Sequence, residues 1–441
     1  MAQKLKFGNG TWATKEGSTL AYNDENGNYK PLPFSVSRAS TATRVNKQGL
    51  IEVVGRNKAR VDYSETSNGA LLLEPSRTNL FTYSEDLSNA AWSKTNSLTI
   101  TTNIAIAPDG NNTADGIQDE TGVTFKLAQQ SSKSVSSNST VTGSVFVKKE
   151  TSEINYGGFQ FDFTGGARKL AYVAFDAVNG LAISLSGASL TPSSIKVVDF
   201  NSDWWRLEIT VTDTGSNTSL AAGYYGTLSN NFSTVSVGAG SVRTLWGFQL
   251  EIGSYSTSYI PTSGSSVTRV ADAANNCGNS AVFNDSEGVL YANIAALAND
   301  GTVRGIAISD NSASDRVYIF LNVTSNQIFG RVDSVNSTVF SESYILNNSV
   351  ENNKISLKYK ANDFALWVNG FEVAAITSGA TPVGLYQIQF DNGAGAGGAP
   401  FYGKSKELGY YDAALTDAEL EYLTSYRSLA EMVTELNLNQ L

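Results

Sequence analysis

Two carboxyl groups held roughly 5–10 Å apart across a sugar can hydrolyse a glycosidic bond, one as acid and the other as base or nucleophile. The chain has 41 Asp and Glu among 441 residues, so such a pair can arise by chance. Asp162 with Asp176, and Asp199 with Asp203, could serve that chemistry, but each also suits a strand end or turn, where a short carboxylate bonds nearby amides. Composition excludes most other reactions. There is no histidine, which removes the commonest general base, the Ser-His-Asp and Cys-His arrangements and every histidine-based metal site. Cys277 is the single cysteine, so there is no intrachain disulfide or thiolate cluster. It sits in ADAANNCGNS, with nothing nearby to lower its pKa, and reads as a small structural residue. GAGAGG, within 391–400, lacks the Lys-Ser/Thr and the helix of a phosphate loop and reads as a flexible loop. Asp310, Asp315 and Asp333 lack the spacing of a calcium loop, and no cofactor is expected.

Binding is the remaining chemistry. Sugar faces stack on aromatic rings while polar neighbours bond the hydroxyls. Trp204-Trp205 and Tyr224-Tyr225 are adjacent pairs within strand-like runs, and adjacent strand residues point to opposite faces. One ring of each pair is therefore expected toward solvent, as a glycan platform or packed under a loop or sister subunit. Trp246 and Trp367 read as core.

These residues need strands to hold them. Charged residues are only 16% of the chain, and short runs of Ser, Thr, Asn and Gly separate apolar stretches, a pattern of β-sandwiches. Residues 140–150, 155–163, 169–177, 194–200, 204–214, 219–226 and 242–252 read as seven strands, several with period-two alternation, such as Phe159, Phe161 and Phe163. Strands return from 288 to 392. Asn362 and Asn369-Gly370 mark two turns that tolerate positive φ. Thr416 to Glu419 is a capping box, followed by Leu420, Leu423, Tyr426, Leu429, Val433 and Leu436 at helical spacing. The expected fold is all-β: two consecutive jelly-roll or β-sandwich domains after an extended N-terminal anchoring region, with a short C-terminal helix. The boundaries are 1–70, 71–262, a linker at 263–279, 280–425, and a helical tail at 426–441.

Residues 1–60 carry ten Lys or Arg and four Asp or Glu, a net +6, which leaves −16 on the rest of a chain of charge −10. Such a front either docks on an acidic surface or is an ordinary solvated segment. Its basic residues lack aromatic interleaving, so no nucleic acid is expected. No run of 18 apolar residues suits a membrane span, and MAQKLKFGNGTW lacks the apolar core of a signal peptide.

LLLEPSRTNLFTYSEDLSNAAW (71–92) is neither a helical stripe nor a strict alternation. Leu71 to Leu73 read as a buried strand entering the first sandwich, Glu74 with Arg77 as a local ion pair, and Trp92 as the plug of the sandwich end. GALLLEPSRTNLFTYSEDLSNAAWSKTN with APDGNNTADGIQDETG, WWRLEITVT, TLWGFQLEIGSYSTSYIPTSGSSVTRVAD and the lead-in FSVSRASTATRVNKQGLIEVV together resemble head spike or head fibre proteins of tailed bacteriophages, over residues 34–272; crAss-like phages are one group the resemblance suggests. NKISLKYKANDFALWVNGFEVA and KSKELGYYDAALTDAELEYLT resemble concanavalin A-like and laminin-G-like jelly rolls, over about 280–425. The resemblances imply a non-enzymatic virion fibre, made in the host cytoplasm and exposed on the particle. It would be a homotrimer, anchored to capsid proteins through Lys4, Lys6, Arg38, Arg44, Lys47, Arg56, Lys58 and Arg60, and its modules would meet glycans. A tail-fibre receptor-binding protein and a polysaccharide depolymerase are the alternatives.

Overall fold

The computed structural model describes residues 3–8, 12–15, 19–23, 29–31, 34–95, 98–118, 127–152, 156–185, 188–228, 241–395 and 397–436. The period-two runs all become strands: Thr140–Lys148, Tyr156–Thr164, Lys169–Asp176, Ser194–Asp199, Trp204–Thr212, Ser219–Leu228 and Val242–Ile252. They divide between two six-stranded antiparallel sheets. One sheet sends Phe159, Phe161, Phe163, Val173 and Tyr224 inward, and the other sends Val145, Val147, Leu207, Ile209, Phe248 and Leu250 to meet them. This sandwich, with the hairpin of Ala42–Val45 and Ile51–Val54, makes up one of two compact units, residues 42–53 with 76–269.

The other unit joins residues 1–41, 54–75 and 270–441, so the division of the chain differs from the expected boundaries. Residues 1–70 are not a region apart. Leu5–Gly8 pairs with Gly403–Tyr411 near the far end of the sequence. Leu5, Phe7, Phe34 and Val61 are buried in the same core as Ile306, Leu357 and Leu408. Ala70–Leu73 pairs with Gly403–Tyr411 as well, so Leu71 to Leu73 belong to this unit rather than opening the Ser76–Arg269 sandwich. The expected linker supplies strands to both units: Val267–Arg269 pairs with Arg77–Asn79, and Ala273–Asn275 pairs with Ser35–Ser37. Local composition cannot reveal such pairings, because each joins segments far apart in sequence.

In this unit an 11-stranded sheet faces a five-stranded one, ordered Ser337–Ile345, Gln327–Ser334, Arg316–Leu321, Arg304–Ser309, Gln387–Gln389. Asn362 (φ 62°) and Asn369 (φ 49°) turn the chain where expected. The capping box forms: Glu419 N donates to Thr416 Oγ1, and Thr416 N to Glu419 Oε2 at 2.9 Å. The helix Asp417–Thr424 buries Leu420 and Leu423 against Val289, Ala365 and Trp367. It stops there, and a second helix, Leu429–Glu435, buries no residue. The expected stripe is therefore split, with only its first half in the core.

Four buried charged residues fasten this unit. Asp272 accepts from Arg38 Nη1 at 2.8 Å, from Glu74 N at 3.0 Å and from Arg60 Nη2. Arg60 Nη1 also donates to Glu74 Oε2 at 2.6 Å. Arg38 donates further to the carbonyls of Ser40, Gly55 and Lys58. Burial alone would pull the Arg60 guanidinium down, but Glu74 and Asp272 outweigh it and hold it above its ordinary value. Glu74 thus pairs with Arg60 instead of the expected Arg77, whose guanidinium lies over the Tyr255 ring.

Candidate functional site

The polar passage between Leu73 and Trp92 is explained by its hydrogen bonds. Asn79 is fully buried. Its Nδ2 donates to the carbonyls of Phe248 and Ile260, and its Oδ1 accepts from Phe81 N and Leu250 N. Ser84 Oγ lies 2.6 Å from Tyr259 Oη and accepts from Thr262 N at 2.9 Å. Trp92 is buried between Phe81 and Phe248, as expected of a plug, and its Nε1 donates to Tyr83 O at 3.0 Å. Each polar side chain satisfies backbone that would otherwise be orphaned in the core.

This stitching holds open a cleft of about 1010 Å³, lined by Tyr83, Glu85, Asp86, Ser88, Thr102, Asn103, Thr113, Asp115 and the 261–267 loop. Tyr83 adopts φ 52°, a left-handed conformation uncommon outside glycine and asparagine. Glu85 accepts from Tyr259 Oη at 2.9 Å. Burial pushes its carboxyl up, the Tyr259 bond opposes that, and the charge of Asp109 adds to it. Asp115 accepts from Leu87 N at 2.8 Å and Asn103 N at 3.0 Å. Burial raises it too, against those two bonds and with the charge of Asp86. The described lining contains no Lys or Arg. Among the described residues no group of three or more carboxylate or thiol ligands is placed to hold a metal ion. The cleft therefore offers carboxylate and hydroxyl oxygens and one aromatic ring, the complement of a ligand rich in hydroxyl donors.

The residues singled out from sequence lie elsewhere. Trp204, Tyr224 and Tyr225 are buried, so no glycan reaches their rings. Alternation leaves no ring of these two pairs open to solvent because both faces of each strand are covered. Tyr224 sits in the sandwich core, while Tyr225 packs on the other face with Leu127, Ala174, Tyr172 and Leu185. Trp204 is buried with Phe146 and Trp246. Trp205 is half-buried, its Nε1 donating to Ala177 O and its ring facing Lys149 Nζ at 4.2 Å; this is the loop-covered arrangement. Trp246 and Trp367 are core. Of the basic residues, Arg38 and Arg60 are buried in the ion network described above, so neither presents its charge to a partner. Lys4 pairs with Asp412, Lys6 with Glu407 and Arg44 with Glu52. Lys47 and Arg56 are exposed and Lys58 half-buried.

Three of the four carboxylates weighed as acid/base pairs serve local structure, and the fourth, Asp203, is exposed. Asp162 is bidentate with Arg168, Asp176 caps Val178 N and Asn179 N, and Asp199 pairs with Lys149. Cys277 is fully buried, and burial drives its thiol well above the ordinary value, as suits an inert structural residue. The cleft was missed because its lining comes from a segment with no periodicity and two distant loops.

No family model and no curated protein matches the chain. Among solved structures, it is similar to the CBM40 of the Ruminococcus gnavus IT-sialidase bound to α2,3-sialyllactose, with a TM-score of 0.30 and 14% identity over 34% of this chain and 94% of that one. It is similar to domains LG4-5 of mouse laminin α1, with a TM-score of 0.23 and 11% identity over 70% and 90%. A Trypanosoma rangeli sialidase in complex with sialic acid has a TM-score of 0.25 and 11% identity over 96% and 92%. At such TM-scores none of these likenesses bears on what the chain binds.

Proposed function

We propose that this chain is a non-catalytic fibre protein that binds a neutral glycan in the cleft of its Ser76–Arg269 sandwich. The observation that carries the proposal is the lining: the Glu85 and Asp86 carboxylates, hydroxyl and amide side chains, the Tyr83 ring and no cation among the described residues. Sugar hydroxyls would donate to the carboxylates, and charge-assisted bonds of this kind are about twice as strong as neutral ones. Glu85→Gln keeps the shape and removes one charge, so affinity is expected to fall about tenfold. Glycan-array binding followed by calorimetry on the hits tests this, and unchanged affinity in Glu85→Gln would refute it.

Attachment to a phage capsid, and a trimeric state, rest on the sequence resemblance over residues 34–272. Cryo-electron microscopy of particles carrying the chain separates the readings. Density rooted on the capsid supports the head fibre, density at the tail supports a receptor-binding fibre, and absence from particles removes both.

A further inference from the structure

A chain of hydrogen bonds runs behind the Glu85 wall of the cleft. Thr262, on the 261–267 loop, gives its N–H to Ser84 Oγ at 2.9 Å. Ser84 Oγ lies 2.6 Å from Tyr259 Oη, and Tyr259 Oη donates to Glu85 Oε1 at 2.9 Å. Its direction is fixed by the protons available. An amide N–H only donates and a carboxylate only accepts. Tyr259 has one hydroxyl proton, which goes to Glu85. The 2.6 Å contact therefore takes its proton from Ser84, rather than sending it to the more distant Thr262 O at 3.4 Å. All three donors point toward the carboxylate, and bonds aligned in this way polarise and strengthen one another.

The middle of this relay is held firmly. Tyr259 is buried, and its ring lies 4.6 Å from that of Trp246. Its carbonyl accepts from Thr43 Oγ1 at 2.6 Å, so ring and backbone are both fixed. Burial drives its hydroxyl well above the ordinary phenol value, so it remains a donor wherever the carboxylate titrates.

The acids of the cleft are used differently. Both oxygens of Asp115 accept from backbone, one from Leu87 N and the other from Asn103 N. Glu85 spends only Oε1, on Tyr259. Among the described residues its Oε2 has no protein partner, and Glu85 lines the cleft.

We propose, on the basis of the glycan reading above, that Tyr259 is the positioning residue of the cleft: it holds Glu85 Oε1 so that Oε2 is presented in a fixed place to a donating hydroxyl of the sugar. The relay ties the 261–267 loop to that same carboxylate, so both walls of the cleft are set by one chain of bonds. Without the Tyr259 hydroxyl, Glu85 loses the bond that opposes its burial and the charge of Asp109. It would then take up its proton at higher pH and turn freely.

Tyr259→Phe keeps the ring on Trp246 and removes only the last donor of the relay. Carbon-13 NMR of the Glu85 carboxyl, assigned by its loss in Glu85→Gln, needs no sugar. Its titration midpoint should be higher in Tyr259→Phe than in the wild type, and Ser84→Ala, which breaks the middle link, should move it the same way by less. Calorimetry with the neutral oligosaccharide that binds most tightly on a glycan array should show about fivefold weaker binding by Tyr259→Phe at neutral pH, with the loss of binding on acidification beginning at higher pH. Added to Glu85→Gln, the same substitution should cost much less, because the two residues act through one group; a ring needed only for packing would cost as much in either background. An unmoved Glu85 midpoint, or an equal Tyr259→Phe penalty in the two backgrounds, overturns the proposal while leaving the cleft standing. If no neutral glycan of the array binds the wild type, the glycan reading fails and the proposal with it.

Discussion

Replacing Asp272 by asparagine removes one of two carboxylates from a buried cluster that also holds two guanidiniums. Arg38 and Arg60 are balanced by Glu74 and Asp272, and all four side chains are almost completely excluded from solvent. The substitution therefore leaves one net positive charge in the interior. It also turns one of the two acceptor oxygens into an amide NH2, so that either Arg38 Nη1, at 2.8 Å from one oxygen, or Glu74 N, at 3.0 Å from the other, together with Arg60, loses its acceptor. Breaking a buried ion pair from one side costs about 3–5 kcal/mol, most of it the stranded charge. That is a large share of the roughly 5–15 kcal/mol that holds a typical domain folded. Urea denaturation followed by hydrogen exchange reads the two units separately. Amides of the Asn353–Lys360 strand should lose about 3–5 kcal/mol of protection, and those of Trp204–Thr212 should be unaffected. A loss below about 1 kcal/mol would refute the reasoning, because it would mean that solvent reaches the cluster and screens it.

Deleting residues 1–34 should unfold the unit that contains Gly403–Tyr411, because Leu5, Phe7 and Phe34 are buried in its core at about 1.5–3 kcal/mol each; retained cooperative melting of that unit would contradict this. Glu85 and Asp115 are raised by burial, so their ionised forms disfavour folding at neutral pH, and that penalty is relieved as pH falls through their raised values toward the ordinary carboxylate range. Glu85→Gln should therefore flatten the pH dependence of the Ser76–Arg269 unit in thermal melts, while glycan binding to the wild type should weaken with acidification from above the ordinary carboxylate range. Gly393→Ala should cost about 1–2 kcal/mol through its left-handed backbone and its close approach to Ala307 and Ser309, visible as a lower denaturation midpoint.

Much of the fold was legible where one physical cause dominates locally. Period-two alternation found the strands from 140 to 252, the asparagine turns at 362 and 369 were marked by residue type, and Thr416 with Glu419 announced a helix start. Thr99–Ala105 was missed because it is exposed almost throughout and so has no inward stripe to alternate. Ala114–Gln118 was missed because only one of its buried positions, Ile117, is a large apolar residue, the others being Ala114, Asp115 and Gly116. Unit membership was illegible, since it is decided by pairings such as Leu5 with Tyr410. At the candidate site, the aromatic pairs drew attention because large rings are conspicuous in a sequence, yet large rings are also what fills a core. The cleft is built mostly from Ser, Thr, Asn, Asp and Glu, residue types that elsewhere in the chain also make turns and so carry no distinctive signal.

The central claim is that the cleft beside Tyr83 and Glu85 receives a neutral glycan. Its most direct test is a crystal structure of the full chain with a glycan-array hit, alongside calorimetry of the wild type and Glu85→Gln. The account predicts sugar hydroxyls within hydrogen-bond distance of Glu85 or Asp86 and about tenfold weaker binding by the variant. A sugar bound elsewhere with the cleft empty, or equal affinity in the two proteins, would contradict it.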